Sequence, residues 1–169
     1  MVGGSMIESQ RRFAVMGKNA FKMVNAIASN QRLCRLLKYQ TRNPFSADLE
    51  DVAGEDLINK QILIAPKLFD ENNEKMSFII AVFDRFVVNA LNPEFKISTI
   101  RFDVVCPLDE WFLDEESLRP YLMIQELDEM FNEKKMAGIG TLQFHRLDTL
   151  TLSPQLGGYS VYYKINEFN

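Results

Sequence analysis

The order of elements written into residues 95–169 restricts the fold of this chain more than any other feature. A strand pattern runs from Phe95 to Cys106, a short amphipathic helix pattern from Ser117 to Asn132, and two further strand patterns from Gly140 to Leu150 and from Gly158 to Phe168. In the first, Ile100, Phe102, Val104 and Cys106 alternate with Thr99, Arg101 and Asp103, so one face belongs to a core and the other to water. The last strand alternates Tyr159, Val161, Tyr163 and Ile165. A helix with one apolar stripe, here Leu122, Met123, Leu127, Met130 and Phe131, lays that stripe on the sheet. An α+β fold follows, with a mostly antiparallel sheet of four or more strands packed by helices on one face.

Upstream, Glu8 to Ser29 sets Phe13, Met16, Ala20, Met23, Val24 and Ile27 at helical spacing. Gln31 to Tyr39, capped by Ser29 or Asn30, is a second helix that Asn43-Pro44 stops, because the residue before a proline is driven out of the α region. Residues 43–60 mix proline, glycine and acids between two apolar islands and read as a surface loop with one helical turn near Leu57. Gln61 to Ala65 is a short strand closed by Pro66, Asp70 to Lys75 a polar turn, and Ser77 to Val88 a strand apolar on both faces, as in the middle of a sheet. Leu91-Asn92-Pro93 turns the chain into the next strand. Ser117 is the expected N-cap of the third helix with Pro120 in its first turn; Gly138 and Gly140 stop it, and Ser153 to Gly158 is a flexible turn. The whole chain, 1–169, makes one domain: a basic helical region at 1–42, a loop excursion at 43–60 and an α+β sheet core at 61–169.

No apolar run approaches the roughly 20 residues of a membrane-spanning helix, so no membrane partner is expected. Met1-Val-Gly-Gly-Ser-Met6 lacks the apolar stretch of a signal peptide and reads either as a leader appended before a native Met6 or as genuine sequence. Two cysteines far apart, Cys34 and Cys106, fit neither a disulfide framework nor a zinc cluster and suggest a reducing compartment. Charge is placed unevenly. Residues 1–42 hold eight Lys or Arg against the single acid Glu8, a surplus of seven positive charges that leaves eleven negative in the rest of a chain of net charge −4. Such an arm meets phosphate, an acidic protein surface or the acidic part of a neighbouring copy, or is simply a solvated helix face.

Nothing in the sequence forms a catalytic motif, and no enzyme, cofactor or metal is expected. His145, the only histidine, lies in a strand pattern with no nucleophile or acid at triad spacing. The acids Asp109-Glu110, Asp114-Glu115-Glu116 and Asp128-Glu129 lack the alternation of a calcium loop, and those before Ser117 suit a helix N-terminus on dipole grounds. No phosphate-binding glycine loop occurs. Trp111-Phe112, flanked by acids between strand and helix, is either a plug over the core, the favoured reading, or an exposed anchor for a partner.

The succession of helical segment, two strands, helix and closing strand pair over residues 10–168 resembles the tail terminator or tail-completion proteins of long-tailed bacteriophages. The local strings Arg101-Phe-Asp-Val-Val-Cys-Pro107, Asp109-Glu-Trp111, Leu118-Arg-Pro-Tyr121 and Gly158-Tyr-Ser-Val-Tyr162 look like a phage neck or tail group with that arrangement. The excursion at 43–60 lies outside the pattern. The resemblance implies a protein without chemistry of its own: a homo-oligomeric ring, commonly a hexamer, that caps the tail tube, stops its growth and faces the head-tail connector. It implies a virion protein assembled in the host cytoplasm, with tail tube protein and neck proteins as partners and possible DNA contact through the ring lumen.

Unlike charge on two parts of one chain favours head-to-tail contacts that close into rings, and strand edges offer pairing between copies. Expected contact residues are Arg11, Arg12, Lys18 and Lys22 in the basic helix, Trp111 and Phe112, and Asp148 and Gln155 around the last turn. Near alternatives are a head-completion or stopper protein of the neck and a nucleic-acid-binding accessory protein that uses the same basic helix; a small hydrolase or metal enzyme built on the acid clusters is a third.

Overall fold

A computed structural model describes residues 12–64, 75–89 and 92–166, with the side chains of 12, 86–89, 92–98 and 166 left out. Expectations for Glu8–Arg11, Ala65–Pro66, Asp70–Glu74, Leu91 and Glu167–Phe168 therefore lie outside the described residues. The elements are α1 (Arg12–Ser29), α2 (Gln31–Lys38), a 3-10 turn at Gly54–Leu57, β1 (Ile62–Leu63), β2 (Phe78–Asn89), β3 (Asn92–Pro107), α3 (Arg119–Phe131), β4 (Lys135–Met136), β5 (Gly140–Thr151) and β6 (Leu156–Asn166). The strands form one sheet in the order β1-β2-β3-β6-β5-β4, antiparallel except for the β1–β2 pair. This is the expected α+β fold.

The period-2 pattern of β3 sets the core. Ile100, Phe102, Val104 and Cys106 are fully buried and meet Met23, Val24 and Ile27 of α1, Leu33, Leu36 and Leu37 of α2, and Met123, Leu127 and Phe131 of α3. Phe102 stacks on Phe131 at 5.0 Å between ring centroids and meets Tyr163 edge-on at 6.0 Å. The opposite face is not simply wet. Asp103 and Val105 are buried there, Val105 with Phe78 and Leu156, and Asp103 as acceptor from Ser160 Oγ beside Arg101 Nε at 3.0 Å. Arg101 also donates to Asp84 at 2.8 Å, so an ion pair joins β3 to β2 while the Asp103–Ser160 bond joins β3 to β6.

Several turns differ from expectation for identifiable reasons. β2 lies between β1 and β3, as its two apolar faces suggested, and among the described residues β1 pairs with it at Ile79 and Ile80. Asn89 already pairs with Asn92, which puts Asn92 and Pro93 in β3 and not in the turn. Ser117 is not the cap of α3; Leu118 is, and Ser117 Oγ donates to the Asp114 carbonyl. No acid occupies the first turn of α3, so the preceding acids do not serve its dipole; Asp114 instead pairs with Arg42 at 3.4 Å. The helix stops at Asn132 with Glu133 in the left-handed region (φ 57°), while Gly138 and Gly140 belong to the β4–β5 hairpin. Gly157 and Gly158 lie in β6, where a Cβ on Gly158 would stand 1.7 Å from the Val104 carbonyl oxygen.

One side chain ties the helical layer together. Arg119, the first residue of α3, is 1% exposed, and its guanidinium donates to the carbonyls of Leu36, Tyr39 (2.9 Å), Thr41 (2.8 Å) and Glu110 (3.0 Å). Leu36 lies in the last turn of α2, whose carbonyls have no partner within the helix, and a cation suits that negative end. Burial pulls the Arg119 pKa down. Arg35 does similar work on the excursion, donating to the carbonyls of Pro44 (3.3 Å), Ser46 (3.1 Å) and Leu49 (2.7 Å). That loop is therefore fastened to α2 and keeps Pro44, Gly54 and Leu57 buried.

Replacing Arg119 by Ala leaves four carbonyls without their donor and is expected to destabilise the fold by on the order of 3–5 kcal/mol in urea unfolding. Cys34 and Cys106 are buried free thiols, their pKa values pushed up by burial to about 11 and about 12. A thiol reagent at pH 8 should label neither in the folded protein and both after unfolding.

Candidate functional site

The basic residues expected to meet a partner fall into two groups. Arg32, Arg35 and Arg42 are engaged within the chain: Arg32 with Glu126, Arg35 with Asp51 at 3.2 Å and Arg42 with Asp114 at 3.4 Å. The charge asymmetry is thus partly discharged internally. Lys18 and Lys22 are exposed on α1, Lys22 Nζ donating to the Ala137 carbonyl at 3.4 Å. Arg12 begins α1, its side chain outside the described residues, as is Arg11 altogether. Neither α1 nor α2 contains an acid.

α1 is held to the sheet from Asn19 onward. Asn19, itself buried, donates from Nδ2 to the Gly138 carbonyl at 2.8 Å, and Ala20 and Met23 follow it into the core. Before Asn19 every side chain from Phe13 to Lys18 is exposed except Met16, which is half-buried. The apolar spacing read from the sequence thus continues into a stretch where Val15 is 47% exposed. Phe21, with Lys18 and Lys22 on the outer face, is 55% exposed.

A second surface lies where the helical layer stops short of β5. Trp111 is half-buried, donates from Nε1 to the Cys106 carbonyl at 3.3 Å, and stands 6.0 Å from the Tyr159 ring; Tyr121 lies 5.0 Å from the same ring, with the two hydroxyls 2.7 Å apart. That shared hydrogen bond raises the Tyr159 pKa. Exposed Leu108 lies beside Trp111 over Gly157. Farther along, Leu147 is in register with Val161, and Phe144, 48% exposed, meets Tyr163 edge-on at 6.2 Å. The result is an aromatic strip on the helix side of β5 and β6, with Asp109 and Glu110 between Leu108 and Trp111 in sequence and Asp128 of α3 accepting from the Tyr163 hydroxyl at 2.8 Å. The Trp111-Phe112 pair is split by this geometry: Trp111 plugs the core edge, whereas Phe112, 71% exposed, points outward.

Asp148 and Gln155 do not join Lys18 and Lys22. Asp148 pairs with Arg146 at 3.1 Å in β5, in register with Ser160 and so on the face away from the helices. Gln155 is exposed in the β5–β6 turn, where its carbonyl accepts from Leu108 N at 2.9 Å, so it borders the Leu108–Trp111 end of the strip. His145 is exposed at a register shift between Phe144 and Arg146. Beyond Leu142, whose N–H and carbonyl are bonded to the backbone of Lys134 and Glu133, β5 pairs with β6 alone among the described residues. Among those residues no group of three or more His, Cys, Asp or Glu could hold a metal ion. A cleft of about 350 Å³ between α2, the excursion and the segment before α3 is lined by Arg32, Arg42, Phe45, Leu113, Asp114 and Leu122 among others, with Arg32 stacked 4.2 Å over Phe45. The sequence pointed to neither this cleft nor Tyr121 and Tyr159 as a surface pair.

In comparisons with known proteins, one family model, YomW, matches residues 30–165, which takes in α2, α3 and all but the last residue of the sheet and leaves out α1. No curated protein and no solved structure matches the chain.

The seat of α1 on the hairpin depends on Gly138. Its φ is +82°, and a Cβ there would lie 2.9 Å from Asn19 Oδ1. Gly138→Ala should destabilise the protein by more than about 1 kcal/mol in denaturant unfolding and raise amide hydrogen exchange in the first half of α1 before any change in the sheet.

Proposed function

This chain belongs to the phage-derived YomW family, and on that premise we propose that it is a structural protein of the virion, placed at the head-tail junction as a ring that caps the tail tube and joins it to the head connector. The family match supports the phage part of the reading. The element order and local strings that resemble tail terminators supply the finer part, and the two surfaces are of a kind an assembly subunit uses: an acid-free helix with exposed lysines, and an aromatic strip with exposed rings. In this reading the subunits form a homo-oligomer, with a hexamer as the expected ring, assemble in the host cytoplasm and contact tail tube and neck proteins. The work is contact and not chemistry. A stopper or head-completion ring in the same neck is the near neighbour.

A second reading has one observation in its favour: the acid-free helices α1 and α2 present Lys18, Lys22 and Lys38 to solvent. A nucleic-acid-binding accessory protein would use them on the phosphate backbone, with affinity that falls steeply as salt rises.

Removing the gene from the phage that carries it tests the first reading. Electron microscopy of the lysate should show filled heads separate from tails, with tubes of uncontrolled length; a stopper would instead leave tails of normal length beside unsealed heads. Joined particles with normal tails would overturn the assignment.

A further inference from the structure

The cleft beside α2 holds two guanidinium groups that the fold engages by one corner each. Arg32 is bonded to Glu126 through Nε and lies over the Phe45 ring, and Arg42 meets Asp114 through Nε at 3.4 Å. Among the described residues no hydrogen bond uses the terminal nitrogens of either side chain, although both line the cleft. Asn43, on the same lining, accepts from Ser46 N at its backbone carbonyl, and its side-chain amide has no hydrogen bond among those residues. Buried Leu113, with Leu122 and Phe45, supplies the apolar part. At about 350 Å³ the cleft has the volume of a small ligand site.

One wall is set in advance. Residues 112–118 fold back as a small hairpin, with a bridge between Phe112 and Leu118 and Leu113 N donating to the Ser117 carbonyl at 2.9 Å. At its tip Glu115 and Glu116 both adopt the left-handed conformation, at φ 60° and 55°. Two such non-glycine residues in succession are strained, and the turn is held in part by Asp114 N, which donates to the Arg42 carbonyl at 2.9 Å. The wall is thereby fastened to the residue that carries one of the two guanidinium groups.

We propose that this cleft binds an extended segment of a partner protein that carries a carboxylate and, two residues away, a large apolar side chain. This rests on the reading of the chain as an assembly subunit and gives the chemistry of one of its contacts. A guanidinium fork matches a carboxylate through two parallel hydrogen bonds. Leu113, Leu122 and Phe45 receive the apolar side chain, which an extended backbone points to the same side as the carboxylate. The Asn43 amide, a donor and an acceptor, pairs with the backbone between them. Phosphate is the poorer fit. Asp114 and Glu115 also line the cleft and cancel the charge of Arg32 and Arg42, so a dianion or a nucleic-acid backbone meets no positive surplus. A single carboxylate has only to share Arg42 with Asp114, whose exposed pair is a weak one.

The test is saturation-transfer NMR on the end-blocked peptide Gly-Glu-Gly-Phe-Gly in the presence of the full-length protein. Binding is expected with a Kd of about 1 mM or tighter. Gln in place of the peptide's Glu should weaken it about fivefold or more, and so should Arg42→Gln or Arg32→Lys in the protein. Arg32→Lys keeps a charge beside Glu126 but loses the fork; Arg42 is exposed, so its replacement leaves the fold intact. Lys60→Gln, also exposed and outside the lining, should bind like wild type.

No binding at about 5 mM peptide, or binding that Arg42→Gln leaves unchanged, overturns the proposal. So does phenylacetate binding as tightly as the peptide, which gives the cleft to a small acid, or inorganic phosphate doing so, which gives it to phosphate-bearing partners. The neck role stands or falls separately, since the gene-removal phenotype is read on whole particles and does not depend on what this cleft holds.

Discussion

A single buried guanidinium holds the helical layer to itself. The Arg119 side chain reaches from the first turn of α3 to the last turn of α2, the residues that follow it and the loop after β3, all through backbone carbonyls. A cation at the N-terminal end of a helix opposes the helix dipole, and here the opposing field at the end of α2 offsets that penalty. Its hydrogen bonds go to carbonyls: Glu110 contributes its backbone oxygen, while burial raises that side chain's own pKa against the pull of the Arg119 charge. This contact ties the start of α3 to the end of α2. Tyr121 stands two residues after Arg119, so the outer end of the aromatic strip is set by what the buried end of α3 grips.

Charge in this chain is allocated by the kind of cation. The arginines of α2 and the segment after it are taken up by acids from later in the sequence, Arg32 by Glu126, which also accepts from Asn30 at 3.2 Å, and Arg35 by both the excursion's carbonyls and Asp51. Those contacts bring distant parts of the chain together. The lysines among the described residues are exposed. This division fits the two cations, since a guanidinium forks between several oxygens at fixed angles while an ammonium keeps its hydration at a flexible distance.

The parts of the fold that were legible in the sequence are those governed by one period over many residues. β3 shows its core face because Ile100, Phe102, Val104 and Cys106 repeat at two, and α3 shows its stripe because Met123, Leu127 and Phe131 repeat at four. β4, two residues long, is too short for any period to appear. Glycine misled twice for the same reason: it marks turns, but at Gly158 it permits a close backbone approach inside a strand and at Gly138 the seating of a helix. Arg119 was also missed, although an arginine beside Pro120 in the first turn of a helix is against the dipole and could have signalled a burial partner. At the candidate site, exposure of Lys18 and Lys22 was legible from the helical wheel. The strip was not, because it joins Trp111, Tyr121 and Tyr159 from three segments that only the fold brings together.

The irregularity at His145 has a consequence for how large any assembly can grow. A straight strand that pairs on one side alone is a template on which sheets extend without limit. In β5 the register breaks between Phe144 and Arg146, the Phe144 N–H is already taken by Asn132 Oδ1 at 2.9 Å, and an Arg146–Asp148 pair follows directly. An incoming strand would meet a bent ladder with an occupied donor and two charges beside it. Runaway fibre growth through that margin is thereby discouraged, and the number of subunits that associate is left to side-chain surfaces, which can be counted and closed.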